Sequence, residues 1–237
     1  MNHVPVLLRE CIEGLAIRPN GVYVDGTLGR AGHAAEIANR ISGSGRLIGI
    51  DRDAAAIESA GRLLGGYGEK VTLVRGDFRD LGAILDSLNI PKADGMLFDL
   101  GVSSPQLDDA GRGFSYMTDA PLDMRMDQSA ALSAYDIVNE WPENEIKRIL
   151  YEYGEERYAP RVAAFIVKRR SDKKIQSTLE LAEIIRSAMP AKALREKQHP
   201  AKRSFQAIRI AVNDELGSAQ EMLKTAPDRL NRGGRLC

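Results

Sequence analysis

Short apolar runs alternate with longer amphipathic stretches over the first hundred residues of the chain. Four runs are rich in β-branched or aromatic residues and predict strands: 21–26, 46–51, 71–77 and 94–99. Three stretches between them have helical periodicity: 32–41, 53–64 and 79–88. Strands that alternate with helices of this length are typical of βαβ units, so the pattern predicts an α/β fold with a parallel sheet.

An acidic residue stands at or next to the end of every predicted strand: Asp25, Asp51, Asp77 and Asp99. Right-handed crossovers bring the carboxyl ends of such strands to one edge of the sheet. Ligands of open α/β sheets bind in the crevice at this edge. One acid before a turn is an ordinary strand end, but four in succession predict a ligand crevice.

The pattern changes beyond residue 104, where no further strand is predicted for about a hundred residues. Residues 105–204 begin with a loop and continue with helical periodicity at 143–153, 158–170, 178–188 and 191–197. We interpret this segment as a mainly helical insertion. Residues 1–104 and 205–237 are then expected to form the sheet domain.

The chain returns to the sheet through an amphipathic helix at 203–216, and helical pattern continues over 217–230. Gly233 and Gly234 are followed by an apolar start, so strand five is predicted to begin at 235–237. We therefore expect the sheet to be truncated at strand five and the chain to be a fragment.

Composition and charge limit the class of protein and its partners. Hydrophobic residues make up 43% of the 237 residues, which is enough to fill a core, and 33 basic residues balance 33 acidic ones. A nucleic-acid partner would therefore need a local basic patch. The two cysteines, Cys11 and Cys237, lie near opposite ends, which fits a reducing compartment. No apolar run approaches the roughly 18 residues of a membrane span, and we expect a cytoplasmic protein.

A glycine-rich loop joins the first predicted strand to the first helix, with the sequence Asp-Gly-Thr-Leu-Gly-Arg-Ala-Gly-His at 25–33. Small residues let the backbone approach a ligand, and an acid at Asp51 can bind both ribose hydroxyls. NAD and S-adenosylmethionine both satisfy this pattern, and a simple helix cap at Asp51 is the structural alternative. A carboxylate at Asp25 repels a pyrophosphate and attracts a sulfonium or ammonium, which favours S-adenosylmethionine.

Two further segments fit the same crevice. Asp77, or a backbone amide beside it, can hydrogen-bond an adenine edge while Phe78 packs on the ring, although Phe78 is equally suited to a core position. Asp99 and the adjacent carbonyls can accept hydrogen bonds from the amine that receives the methyl group. This arrangement suits methylation of the exocyclic amine of a base, because the amine is a poor nucleophile that needs orientation.

Several segments together resemble the bacterial ribosomal RNA small-subunit methyltransferase H family: 25–33, 99–109, 112–117, 121–127, 153–158 and 199–209. The resemblance covers nearly the whole chain. It implies a Rossmann-like S-adenosylmethionine-dependent methyltransferase sheet with a helical insertion that recognises RNA. It also implies methylation of N4 of a cytidine in the decoding region of 16S ribosomal RNA, as part of the small ribosomal subunit.

The resemblance implies a set of cofactor contacts: Ala31, Gly32 and His33 at the methionine part, Asp51 at the ribose, Phe78 and Asp99 beside the adenosine and the reactive end, and Gln106 in the same pocket. Asp99 is the predicted catalytic residue, and no metal is expected. The family usually carries Gly at position 31, and a contact from the backbone survives the change to Ala.

The substrate side is less determined. Many amino-methyltransferases carry Asp/Asn-Pro-Pro-aromatic where this chain has Asp-Leu-Gly-Val at 99–102, so another ring must stack on the base. Phe114 and Tyr116 are our candidates. Two basic segments, 168–174 and 192–203, are either solvated faces or phosphate contacts, and the second adjoins the return helix. His199 within it is interpreted as structural or phosphate-contacting.

Two competing functions stay open at this point. An NAD-dependent oxidoreductase is disfavoured because Asp25 replaces the first glycine of the dinucleotide fingerprint. An RNA-binding or assembly factor that keeps a cofactor pocket without turnover is the non-enzymatic alternative. The sequence leaves a homodimer open.

Overall fold

The computed structural model describes residues 5–237, in which five parallel strands form one sheet in the order β3-β2-β1-β4-β5. The strands are β1 (Val22–Asp25), β2 (Arg46–Asp51), β3 (Val71–Arg75), β4 (Ala93–Leu97) and β5 (Leu230–Leu236). The sheet is of the Rossmann-like α/β class, as predicted. Because the strand order reverses between β1 and β4, the carboxyl ends of these two strands mark the switch point.

The helices follow the pattern expected from the sequence, with three additions. They are α1 (Leu8–Leu15), α2 (Gly32–Arg40), α3 (Ala54–Leu64), α4 (Leu81–Ser87), α5 (Ser104–Asp108), α6 (Ala134–Glu140), α7 (Glu143–Glu152), α8 (Ala159–Asp172), α9 (Thr178–Ala188), α10 (Lys202–Asn213) and α11 (Glu215–Thr225). Helices α1, α5 and α6 were not assigned individually from the sequence. The helix predicted at 191–197 is a short 3₁₀ turn, Ala193–Arg195.

The central strands are buried on both faces, which explains their continuous apolar runs. Successive side chains of a strand point to opposite faces, so β1 places Tyr23 in one core and Val24 in the other. The first core includes side chains of α1 and α2, and the second includes Leu81 of α4 and Met222 of α11. Both layers pack on the strands whose ends form the predicted crevice.

Strand boundaries differ from the sequence prediction by two residues or more at three ends. Strands β3 and β4 end at Arg75 and Leu97, so Asp77 and Asp99 lie in loops two residues beyond them. Strand β5 begins at Leu230, five residues earlier than predicted, and α11 already ends at Thr225. The Gly-Gly pair is inside β5, where Gly233 has a φ of 78° and the register with β4 shifts. A glycine at positive φ is typical of a β-bulge.

The described chain divides into two compact units, one with the residues up to Ser103 and Leu216–Cys237, the other Ser104–Glu215. The second unit is helical, and the one strand-like pairing among its residues is an isolated bridge between Pro121 and Ser177. Helix α10 falls in this unit, whereas the sequence pattern assigned it to the sheet domain from residue 205 onward. Among residues 5–237, no helix is both long and apolar enough to cross a bilayer.

Candidate functional site

The loop after β1 is fastened to both neighbouring strands at the switch point. The amide of Gly26 donates to the carbonyl of Leu97 at 2.9 Å, and the amide of Leu28 donates to that of Ile50 at 3.1 Å. A Cβ at Gly26 would lie 2.1 Å from Cε1 of Phe98, so only glycine lets the Phe98 ring occupy its position. These contacts set the loop between the carboxyl ends of β4 and β2.

Asp25 is a buried acid at the end of β1, with 1% of its surface exposed. Its Oδ1 accepts a hydrogen bond from the amide of Thr27 at 3.1 Å, while Oδ2 has no hydrogen-bond partner within 3.5 Å among the described residues. Burial raises the pKa of Asp25 to about 7, and the charges of Asp51 and Asp99 add to this shift. The backbone amides of Thr27 and, more weakly, Ala34 oppose it. A buried acceptor without a partner, next to the sheet edge predicted to hold a ligand, is a candidate binding site for a donor or a cation.

Asp51 ties the glycine-rich loop to the end of β2. Its Oδ2 accepts from the amide of Gly29 at 2.8 Å, and its Oδ1 accepts from the amide of Asp53 at 2.9 Å. Burial raises the pKa of Asp51, and these two amides oppose the shift. Asp53, and not Asp51, caps α3 by accepting from the amide of Ala55. The helix-cap alternative for Asp51 is therefore wrong, and each Asp51 oxygen keeps lone-pair capacity for a hydroxyl.

Residues 31–33 form the start of α2. Ala31 is fully buried in the left-handed region with a φ of 59°, a conformation that favours glycine and thus accounts for the usual residue of the family. His33 is buried, and its Nε2 lies 3.2 Å from the carbonyl of Val6. Burial lowers the pKa of His33. A Cβ at Gly32 would lie 2.3 Å from Cγ of Pro5, so Pro5 lies against this helix start.

Asp99 is exposed in the loop that follows β4. Its amide donates to Oγ1 of Thr27 at 2.6 Å, which joins this loop to the loop after β1. The carboxylates of Asp25, Asp51 and Asp99 are close enough for both other acids to raise the pKa of Asp25. The structure thus brings three of the four predicted acids to one edge, at the ends of three adjacent strands.

The fourth acid, Asp77, is already engaged by the protein. Its Oδ2 forms ion pairs with Arg52 at 3.0 Å and Arg79 at 3.2 Å, and accepts from the hydroxyl of Ser218 at 3.0 Å. The neighbouring Phe78 ring is 9% exposed and meets the Phe98 ring edge-on, with centroids 5.7 Å apart. Most of the Phe78 surface is therefore buried in the core, as the alternative interpretation expects.

The aromatic candidates for base stacking lie in the second unit and differ in exposure. Phe114 is buried, with the Arg112 guanidinium 5.9 Å from its ring centroid, so it is a core residue and not an available stacking surface. Tyr116 is partly exposed and stacks on His199 at 4.5 Å between centroids. Nδ1 of His199 accepts from the amide of Ala201 at 3.2 Å. These contacts give His199 a structural role, and Tyr116 is the remaining candidate for base stacking.

Gln106, the last predicted cofactor contact, belongs to the second unit. It is buried in the short helix α5, with 6% of its surface exposed. Among residues 5–237, no group of three or more His, Cys, Asp or Glu is arranged to hold a metal ion.

The two basic segments differ in their contacts. Arg170 donates to the carbonyls of Val138 and Trp141 at 2.8 and 2.6 Å, which gives the first segment a structural role. In the second segment, Lys202 is exposed, and Arg203 donates to the carbonyl of Glu155 at 3.0 Å. Arg203 also borders a small open groove in this unit, with a cavity volume of about 30 Å³. No local sequence pattern predicts these contacts, because the partners are distant along the chain.

Comparison with known proteins shows which family this chain resembles. The model of the MraW methylase family matches residues 1–237. A relative from Heliobacterium modesticaldum named ribosomal RNA small subunit methyltransferase H is 56% identical over 99% of this chain and 75% of its own length. Proteins of the same name from a Paenibacillus species and from Clostridioides difficile are 54% and 51% identical, over 99% and 100% of this chain and 76% of each relative.

Likeness to solved structures is weaker. A putative rRNA methylase from Clostridium thermocellum superposes on 44% of this chain and 55% of its own, with 20% identity and a TM-score of 0.38, which is too low to add to the assignment. The family model and the curated relatives are sufficient by themselves, and the chain belongs to the MraW methylase family.

Proposed function

We propose that this protein transfers a methyl group from S-adenosylmethionine to N4 of a cytidine in the decoding region of 16S ribosomal RNA. Its membership of a methylase family and the names of its relatives support this proposal. The observation that carries it is the buried Oδ2 of Asp25, which has no partner among the described residues and lies at the switch point of the sheet.

The residues at this edge fit S-adenosylmethionine, which supplies an electrophilic methyl group on a sulfonium. The Asp25 carboxylate favours a cationic ligand and disfavours the pyrophosphate of NAD. Asp51 accepts hydrogen bonds from the ribose hydroxyls, and the Phe78 ring covers one side of the adenine. We assign the remaining cofactor contacts as the family resemblance implies: Ala31, Gly32 and His33 at the methionine part and Gln106 in the same pocket.

Asp99 is the proposed catalytic residue. The cytidine amine donates its lone pair to the ring and is therefore a weak nucleophile. A carboxylate that accepts one of its N–H groups orients the amine, and fixed geometry lowers the remaining barrier. The hydrogen bond from the Asp99 amide to Oγ1 of Thr27 fixes the backbone of Asp99. Water takes the proton that the amine releases.

The second unit is proposed to recognise the RNA. A cytidine that is paired or stacked must leave its stack before N4 can react. Tyr116 offers a partly exposed ring for a base, and Lys202 offers an exposed ammonium for a phosphate. We place the reaction on the small ribosomal subunit in the cytoplasm.

Methyl transfer from labelled S-adenosylmethionine to small ribosomal subunits that lack the modification tests this function. We expect label in the RNA with the wild type and a loss of at least tenfold with Asp99→Asn. RNA binding without transfer would favour the assembly-factor alternative. Calorimetric binding of NAD in place of S-adenosylmethionine would favour an oxidoreductase.

A further inference from the structure

The hydroxyl of Ser218 is a buried junction on the adenosine side of the proposed crevice. Ser218 lies near the start of α11 and has no exposed surface. Its Oγ donates to Oδ2 of Asp77 at 3.0 Å. It accepts from Nη2 of Arg52 at 3.2 Å, and from Nε and Nη2 of Arg79 at 3.1 and 2.6 Å. A serine hydroxyl has one proton and two lone pairs. The proton serves Asp77, and each guanidinium group takes one lone pair, with Nε and Nη2 of Arg79 sharing the same one.

The network reaches the Phe78 ring through Arg52. Oδ2 of Asp77 also pairs directly with Arg52 at 3.0 Å, so the guanidinium is held by both a carboxylate and a hydroxyl. The same guanidinium lies 5.7 Å from the centroid of the Phe78 ring, within the range of a cation–π contact. Arg52 directly follows Asp51 in the chain, and its charge favours the ionised form of that carboxylate.

We propose that Ser218 is a positioning residue for cofactor binding: it fixes Arg52 against the Phe78 ring and so shapes the pocket for the adenosine half. This inference rests on the proposed use of S-adenosylmethionine. Ser218 itself acts only through its three partners. Without the hydroxyl, Asp77 and the two guanidinium groups lose the common atom that sets their spacing, because alanine offers neither a donor nor an acceptor.

The chain supplies a matched control. Ser204 in α10 is equally buried, and its Oγ has no hydrogen-bond partner among the described residues. Ser218→Ala and Ser204→Ala therefore make the same chemical change in equally buried helical positions, but only the first removes hydrogen bonds.

Titration calorimetry with S-adenosylmethionine is the first test. We expect Ser218→Ala to raise Kd about tenfold and Ser204→Ala to leave it within twofold of wild type. In methyl transfer, Ser218→Ala should raise KM for S-adenosylmethionine by a similar factor, while kcat at saturating cofactor stays near the wild-type value. A purely structural role would lower the melting temperature without this split between KM and kcat.

A second pair of variants makes the inference independent of one substitution. Asp77→Asn keeps the shape of the side chain and weakens both guanidinium contacts, so it should show the same split. In an Arg52→Ala background, Ser218→Ala should cause no further loss of affinity. If the wild type binds S-adenosylmethionine and the Ser218→Ala and Ser204→Ala variants have the same Kd, this inference is overturned but the proposed function is not. Absence of binding by the wild type would overturn the proposed function as well.

Discussion

The amide of Asp99 donates a 2.6 Å hydrogen bond to Oγ1 of Thr27, and this bond joins the loops that follow β4 and β1. Thr27 also donates its amide to Oδ1 of Asp25. One threonine thus contacts both the buried acid proposed to meet the cofactor and the backbone of the acid proposed to orient the substrate. We therefore expect Thr27 to couple the positions of cofactor and substrate.

Replacing Thr27 by valine should reduce kcat about fivefold, because one hydrogen bond of this kind contributes about 1 kcal/mol and each 1.4 kcal/mol is a factor of ten in rate. Steady-state methyl transfer measures the effect. Thr72→Val on β3 is the control, since it makes the same change on an edge strand away from the loop. Equal kcat for the two variants would show that the Thr27 hydroxyl does not position Asp99.

Binding of S-adenosylmethionine should strengthen as the pH rises through about 7. Burial raises the pKa of Asp25 to about 7 in the free protein, so the carboxylate that attracts the cation is mostly protonated at pH 6 and mostly ionised at pH 8. An approximately tenfold change in affinity follows from the change in ionised fraction. Calorimetry on wild type and Asp25→Asn isolates this term. Identical pH profiles for the two proteins would contradict the role of Asp25.

Asp25 should also lower the free energy of unfolding at neutral and alkaline pH. Its folded-state pKa lies above the ordinary value of 3.8, so the native state binds more protons than the unfolded state between about pH 4 and 7. Its contribution to the free energy of unfolding therefore falls with rising pH across this window and levels off above it. Asp25→Asn should stabilise the protein at pH 8 by up to about 4 kcal/mol and have little effect at pH 3. Urea unfolding at both pH values measures this, and an equal effect at both would contradict it.

The core of the fold could be predicted from the sequence because its signals are local. Residues such as Ile48 and Ile50 lie in a continuous apolar run, and turn residues bound each such run. Helix α1 was missed although Leu8, Ile12 and Leu15 have helical spacing, because no side chain caps it and Leu7 begins it in the left-handed region. Strand β5 was shortened because its Gly-Gly bulge has the composition of a turn.

The site was only partly predictable, because several contacts join residues far apart in the chain. Asp25, Asp51 and Asp99 were identified by their places next to strand ends. The engagement of Asp77 depends on Ser218, which is 141 residues away, and no local pattern announces it. Burial of Phe114 likewise follows from the packing of the helical unit and not from its neighbours in sequence.

Position 31 should tolerate glycine better than valine. Ala31 is buried at a φ of 59°, where a Cβ costs about 1–2 kcal/mol and a β-branched side chain more. Ala31→Gly should stay within about 1 kcal/mol of wild type, because relief of strain offsets added chain entropy. Ala31→Val should lose more than about 2 kcal/mol.

Ala35, one turn further along α2, is the control for position 31. It has ordinary helical geometry, so glycine there should be worse than valine by a few tenths of a kcal/mol. Denaturant unfolding of the four variants checks the inverted order. The same order at both positions would contradict the strain at Ala31.

Lys202 should contribute to RNA affinity through a phosphate. Lys202→Ala should weaken binding and reduce the slope of log K against log salt by about 0.7–0.9, the value for one phosphate contact. Lys173→Ala removes an exposed lysine from the first basic segment and should leave the slope unchanged. Adding Arg203→Ala should weaken binding further, although loss of the Glu155 contact contributes to that effect. Equal slopes for wild type and Lys202→Ala would exclude a phosphate contact at this lysine.

Identification of the methylated nucleoside tests the central claim most directly. Small ribosomal subunits that lack the modification are incubated with the protein and labelled S-adenosylmethionine, and their RNA is digested and separated by chromatography with mass detection. We predict that the label is found in N4-methylcytidine from one decoding-region position, and that Asp99→Asn strongly reduces it. Label in another nucleoside, or no label with wild-type protein that binds S-adenosylmethionine, would contradict the account.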